Sequence, residues 1–239
     1  MNEVPAPSPN HDARTAPVSL IVLHYTGMRT GAEALARMRD PEAKVSAHAM
    51  VETDGTVHRL VPDERRAWHA GLAEWAGQRD VNARSVGIEI VNPGHEHGYE
   101  DFPEAQILAV CGLVADAMAR FGVPPEGVVG HADVAPHRKE DPGERFPWAT
   151  LAGRGLALPP WDGSTPDEVP DGAGAMSLLE AIGYPVTTYG GAACTVAFQR
   201  RFVPAELGQG LNPATRAAIG WAAAYPKTPY PKTHGRNPA

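Results

Sequence analysis

Ser85-Val-Gly-Ile-Glu-Ile-Val91 carries the strongest architectural signal in the chain. Side chains alternate across a strand, so Val86, Ile88 and Ile90 share one apolar face. Glu89 then points to the other face, beside Gly87. Upstream, Ser19-Leu-Ile-Val-Leu-His24 is a continuous apolar run, the pattern of a strand buried on both faces. Between these two runs, residues 32–39 carry Leu35 and Met38 at helical spacing, and Asp40-Pro41 stops the helix. Residues 47–52 and 56–61 flank Asp54-Gly55; a tight turn there needs positive φ, which predicts a hairpin. Downstream, residues 103–121 predict a long helix with Ile107, Val110, Cys111, Val114, Met118 and Phe121 as its apolar stripe. Val128-Val129 is a short strand that leads straight into His131. Strands mixed with helices, with a hairpin inside, predict an α/β fold: a mixed β-sheet flanked by helices.

The whole chain has 239 residues, 43 % of them hydrophobic, and a formal net charge of −7. At roughly 100–200 residues per domain, that length holds one or two domains. The acidic balance offers no broad basic surface, so nucleic acid is not an expected partner. No stretch approaches the ~20 apolar residues of a membrane span. The first residues lack a charged start followed by an apolar run, so the expectation is a cytoplasmic chain. Cys111 and Cys194 each sit in an apolar helical pattern and read as buried thiols, with a disulfide between them left open.

Composition divides the chain further. Residues 1–17 are polar and proline-bearing and read as a disordered or loosely docked N-terminal arm. Residues 18–152 hold the strands and helices described above. Residues 153–174 turn to Gly, Pro, Asp and Ser and read as a linker, with Trp161 docking back. Residues 175–225 predict a small C-terminal three-helix domain, and residues 226–239 a flexible tail.

Ten histidines need sorting. His24 and His131 each end an apolar strand, which is where mixed α/β folds place ligand sites. Asp141 closes the segment that His131 opens. Two imidazoles and one carboxylate make a three-ligand zinc set that leaves a fourth position for water. Taken singly, each histidine reads equally well as a group that satisfies hydrogen bonds at a strand end. His48 reads as an internal hydrogen-bonding group, His58 as exposed, and His95 and His97 as part of a loop at a groove edge. His69 is the best rival ligand, with substrate contact or support of a ligand as its more natural roles. His11 and His234 fall in the expected flexible ends.

Four blocks occur in order: Leu23-His-Tyr-Thr-Gly27, Arg66-Ala-Trp-His-Ala-Gly71, Ser85-Val-Gly-Ile-Glu-Ile90 and Gly130-His-Ala-Asp-Val-Ala-Pro-His-Arg-Lys-Glu-Asp-Pro-Gly143. Together they resemble the zinc-dependent N-acetylmuramoyl-L-alanine amidases, relatives of the peptidoglycan recognition proteins, over about residues 18–148. The resemblance implies hydrolysis of the amide between N-acetylmuramic acid, or its anhydro form, and L-alanine. The partner would be peptidoglycan or soluble muramyl peptides. It implies His24, His131 and Asp141 as zinc ligands, Glu89 as the catalytic carboxylate and Lys139 as a stabiliser of the oxyanion. Arg66, Trp68, His69 and Ala70 would line the groove for the muramyl-peptide stem. Each has a plainer reading: Glu89 a solvated edge carboxylate, Lys139 part of a solvated charge run, Trp68 a core residue. Two rival functions stay open here, a non-catalytic peptidoglycan receptor and a zinc peptidase cutting within the stem. Nothing in the sequence sets an oligomeric state.

Leu178-Leu-Glu-Ala-Ile-Gly-Tyr-Pro185, Thr195-Val-Ala-Phe-Gln-Arg-Arg-Phe202 and Leu211-Asn-Pro-Ala-Thr-Arg216 are similar to the small three-helix peptidoglycan-binding domain. That resemblance implies a tethered module that concentrates substrate. The alternative is a helical appendage that only stabilises the enzyme. Phe198 and Phe202, four residues apart, read as core.

Overall fold

The computed structural model describes residues 2–166 and 168–225. Its strands are β1 (Glu3–Pro5), β2 (His11–Ala13), β3 (Leu20–Tyr25), β4 (Ala49–Val51), β5 (Val57–Arg59), β6 (Arg65–Ala67), β7 (Glu74–Trp75), β8 (Gln78–Arg79), β9 (Ser85–Ile90) and β10 (Val128–Gly130). Its α-helices are α1 (Gly31–Arg39), α2 (Gly94–His97), α3 (Glu104–Phe121), α4 (His131–Val134), α5 (Trp148–Ala152), α6 (Gly172–Ile182), α7 (Val186–Tyr189), α8 (Gly191–Phe202) and α9 (Pro213–Ala224).

Six strands form the main sheet in the order β1-β5-β4-β9-β3-β10. β4 and β5 are the antiparallel pair expected at Asp54-Gly55, and Gly55 has φ of +84° in the turn. The other neighbours run parallel, so the sheet is mixed. Period two sorts the residues onto two faces. Ile21, Leu23, Val86, Ile88 and Ile90 meet the apolar stripe of α3 in one core. Leu20, Val22 and Val129 face the opposite way, into a second core. His24 continues the even-numbered series of β3, and Glu89 shares its face of β9 with Ser85 and Gly87. Parallel register then sets His24 directly beside Glu89. Both polar side chains therefore reach the carboxyl ends of neighbouring central strands on the face that α3 does not cover.

Helix α1 borders that face on one side. The Thr30 hydroxyl caps it by accepting from Glu33 N (3.1 Å), and Ala34 and Met38 pack with Met50, Leu60 and Val61. The C-terminal helices border the other side. Ala175, Leu179, Phe198 and Ile219 share the second core with Leu20, Val22, Trp75 and Val129.

Two features differ from the sequence-based expectations. Residues 1–17 are not a loose arm: β1 extends the main sheet beside β5, and β2 pairs with β6. Residues 153–174 are not a free tether, because Leu156 and Ala157 are buried with α3; Trp161 docks back as expected, its N donating to the Phe202 carbonyl (2.8 Å). A polar, proline-bearing segment can be held by backbone pairing to a strand distant in sequence, and composition does not reveal that pairing. Cys111 and Cys194 are both buried and free, one in each core. The expected tail, 226–239, and with it His234, lies outside the described residues. Among the described residues, no helix is long and apolar enough to cross a membrane.

Candidate metal centre

His24 at the end of β3, His131 at the start of α4 and Asp141 converge although 107 and 117 residues separate the latter two from His24. His24 Nδ1 lies 2.9 Å from His131 Nδ1 and 3.1 Å from Asp141 Oδ2, and His131 Nδ1 lies 3.0 Å from the same oxygen. All three side chains are buried. Donor atoms at that spacing fall within reach of a single ion with ligand bonds of about 2.0–2.2 Å.

The surroundings decide which ring nitrogens carry protons. The Ser85 hydroxyl donates to the Val81 carbonyl (2.6 Å), so its oxygen accepts from His69 Nε2–H (3.1 Å). His69 Nδ1 is then the acceptor for His24 Nε2–H (3.0 Å). On the other imidazole, His131 Nε2–H donates to the Ala70 carbonyl (3.1 Å). Both inward-facing Nδ1 atoms are thus lone-pair donors, and the third inward atom is a carboxylate oxygen. Three electron-pair donors held within 3.1 Å of one another repel unless a cation or a proton sits among them. Burial, with the neighbouring His131 adding, pushes the His24 imidazole down to about 4, so it is neutral and ligand-ready at pH 7. Burial pushes the Asp141 carboxyl up, yet the facing His131 and His24 imidazoles outweigh it and hold the group ionised. The donor set fits a divalent, borderline-soft ion such as zinc.

His69 needs space to reach His24, and Gly87 provides it. A Cβ on Gly87 would stand 2.4 Å from the His69 ring, closer than any side chain tolerates. The backbone of residues 68–70 is pinned as well: Asn82 Oδ1 accepts from His69 N (3.1 Å) and Ala70 N (2.7 Å), and Ser46 Oγ accepts from Trp68 N (2.9 Å).

A cavity of about 540 Å³ opens beside the three donors and is lined by Trp68, His69, Glu89, His131, Lys139 and Asp141 among others. Glu89 Oε2 is buried with no hydrogen-bond partner among the described residues. Burial, reinforced by Asp141 and opposed by Lys139, pushes the Glu89 carboxyl well above its ordinary range. A carboxyl raised in this way holds a proton more readily than an ordinary carboxylate, which suits a group that takes and returns one. Lys139 makes no ion pair among the described residues.

The structure gathers His131, Asp141, Glu89, Lys139, Trp68 and His69 around one cavity, with His24 completing the donor set beside His131 and Asp141. Arg66 is not on its wall. It pairs with Asp12 (3.0 Å) and Asp80 (2.8 Å) and faces an adjoining hollow of about 390 Å³. The Ala70 side chain is buried in the second core and only its carbonyl serves the site, so it does not line the groove. His69 is mainly a support for His24. His58 is half-buried against Glu52 (3.3 Å) rather than exposed, because its strand lies inside the sheet. His48 is internally bonded as expected, accepting from Gly87 N at Nδ1 (2.9 Å). His95 does edge the cavity, 2.9 Å from the Tyr25 hydroxyl, and His11 lies in β2. Sequence reasoning missed Ser85, Asn82 and Arg138, whose guanidinium donates to the carbonyls of Ala70 and Leu72. Only the neighbourhood of Ser85 and Arg138 in the quoted blocks hinted at them.

A mixed sheet that presents a buried His–His–Asp donor set and a buried carboxylate at its strand ends is an arrangement suited to metal-assisted hydrolysis. A family model described as N-acetylmuramoyl-L-alanine amidase matches residues 14–144, and the chain belongs to that family. The enzyme cuts the amide between N-acetylmuramic acid and L-alanine. N-acetylmuramoyl-L-alanine amidase AmiD of Escherichia coli is 35 % identical over 189 residues, 71 % of this chain and 67 % of the relative. 1,6-anhydro-N-acetylmuramyl-L-alanine amidase AmpD of the same organism is 33 % identical over 60 % of this chain and 86 % of the relative. Among solved structures, E. coli AmiD in complex with anhydro-N-acetylmuramic acid-L-Ala-D-gamma-Glu-L-Lys superposes with a TM-score of 0.75 at 33 % identity, covering 87 % of this chain and 90 % of that one. AMPDH3 of Pseudomonas aeruginosa gives 0.76 at 30 % identity, covering 85 % and 90 %.

Proposed function

We propose that this amidase is zinc-dependent, that His24, His131 and Asp141 hold the ion, and that its substrates include anhydromuramyl peptides. The observation that carries the metal reading is the proton order of the Ser85–His69–His24 line and of the His131–Ala70 bond, which leaves both Nδ1 atoms unprotonated toward Asp141. The anhydro reading is supported by the AmiD complex and by AMPDH3, which is also solved with an anhydromuramic pentapeptide.

Zinc, when bound, polarises a carbonyl and lowers the pKa of water. The chain's own groups do the rest. Glu89 accepts a proton from the attacking water as its oxygen bonds to the lactyl carbonyl carbon. The carbon–nitrogen bond then breaks, and Glu89 returns the proton to the amine of the departing L-alanine, which balances the step. The Lys139 ammonium faces the oxygen that gains negative charge, and loss of one such donor typically costs ~3–4 kcal/mol. Trp68 gives the peptide stem a flat apolar wall.

Digestion of anhydromuramyl peptides with and without a chelator, read by mass spectrometry, tests the reading. The expected products are free stem peptide and free anhydro-sugar, lost on chelation and restored by zinc. Glu89→Gln should lower kcat by roughly 10²–10⁴-fold while the protein still binds zinc. Cleavage inside the stem, or full activity after chelation, would contradict the proposal.

A further inference from the structure

His131 is the donor whose position depends most on a single turn. It opens α4 directly after Gly130, and the Ala132 amide donates to the Asp141 carbonyl (2.9 Å). That one turn therefore sets both His131 and the backbone of Asp141. Asp133 locks it from behind, its Oδ2 accepting from Gly130 N (2.7 Å). The other carboxylate oxygen of Asp133 accepts from the Tyr184 hydroxyl (2.6 Å), which comes from the loop after α6. Both residues are 1 % exposed, so water cannot replace this bond. Arg201 on α8 stacks on the Trp148 ring at 3.6 Å, donates to the Val128 carbonyl of β10 (3.1 Å) and holds Nε 3.9 Å from Asp133 Oδ2.

We propose that Tyr184, with Arg201 behind it, is a positioning residue for the metal-ligating turn, so that the C-terminal region helps to set the geometry of the metal site. The inference rests on the zinc reading above. The chemistry is indirect: a phenol hydroxyl fixes a carboxylate, the carboxylate fixes the Gly130 amide, and the turn that follows aims His131 Nδ1 at the ion. Tyr184 touches neither substrate nor ligand. Groups of this kind typically change metal affinity or activity by roughly 10–100-fold when removed.

Tyr184→Phe keeps the ring between Trp75 and Phe198 (centroids at 5.1 and 5.9 Å) and removes only the hydroxyl. Phe198→Leu loosens the same core without touching Asp133. Zinc affinity of the full chain is measured by competition with a chromophoric chelator, alongside thermal unfolding of the metal-free proteins. Tyr184→Phe should bind zinc at least ~10-fold more weakly than the parent, with kcat reduced and KM unchanged. Phe198→Leu should lower thermal stability and leave zinc affinity at the parent value. Parental zinc affinity in Tyr184→Phe overturns the positioning role. Equal weakening in both variants also overturns it, since general loosening would then explain the loss. A parent protein that binds no zinc overturns the metal reading itself, and this inference falls with it.

Discussion

Ser85 stands behind His69, and His69 behind His24, so one hydroxyl proton given to the Val81 carbonyl fixes the tautomer of two rings. Packing imidazoles this deeply has a consequence for stability. Burial is the largest influence on His24, His48 and His69, and it pushes all three below the ordinary 6.5, to about 4, about 3 and well below, respectively. Unfolded, each takes up its proton near pH 6.5; folded, each stays neutral to a lower pH. The unfolded state therefore binds more protons below pH 6.5, and stability is lost as pH falls from there toward about 4. Each such group contributes up to ~1.4 kcal/mol per pH unit inside that window. Thermal unfolding of the metal-free protein should show a midpoint that declines steadily below pH 6.5. A midpoint unchanged between pH 7 and 4.5 would contradict the burial of these rings. His24 and His131 were legible as candidates because each ends an apolar strand, and Glu89 because its strand belongs to the blocks that carry the family resemblance. Support of a ligand was one of two roles the sequence offered for His69, but the role of the Ala70 carbonyl was not legible, because a backbone group that orients a ligand leaves no mark in local sequence.

The N-terminal segment shows how an element can hide in polar sequence. The Asn10 side-chain amide donates to the carbonyls of Met38 (3.3 Å), Asp40 (2.8 Å) and Val45 (2.8 Å), and the Asn10 backbone carbonyl accepts from Ser46 Oγ (2.6 Å). Asn10 thereby joins the end of α1 to the strand entry that carries Ser46 and His48. Asn10→Ala would leave the Val45 carbonyl without its donor and remove one of two donors from the carbonyls of Met38 and Asp40, a loss of about 1–3 kcal/mol. At ~2–4 °C per kcal/mol for a chain of this size, the unfolding midpoint should drop by several degrees. A drop of less than one degree by calorimetry would show that the segment is only loosely attached. The hairpin at Asp54-Gly55 and helix α3 were legible for the opposite reason: turn chemistry and 3.6-residue periodicity are local. β1 and β2 need partners 52 to 56 residues away, and no periodicity announces them.

The molecule as a whole is held by two cores on opposite faces of one sheet, and the second is shared between the strands and the C-terminal helices. A chain ending at residue 152 would bare Leu20, Val22, Trp75 and Val129 to water. Such a truncated chain should aggregate on size-exclusion chromatography or unfold without cooperativity. A soluble monomer with the parental midpoint would instead support an independent module. The composition of residues 153–174 resembles that of a tether, yet Leu156, Ala157 and Trp161 dock, because apolar side chains spaced through a Gly/Pro segment can be buried without forming any regular element.

Sequence alone determined the mixed α/β class, the central strands, the hairpin and the long helix, since these follow from alternation, helical period and turn chemistry along a few neighbouring residues; the candidate site residues came from the resemblance of four ordered blocks to a known family. It also placed three helices in the C-terminal region. Tertiary structure determined that His24, His131 and Asp141 meet, which ring nitrogens face inward, and that the C-terminal helices brace the turn bearing His131. The reason is physical: strand register and side-chain burial join residues more than a hundred positions apart, and proton placement depends on partners that only folding brings together.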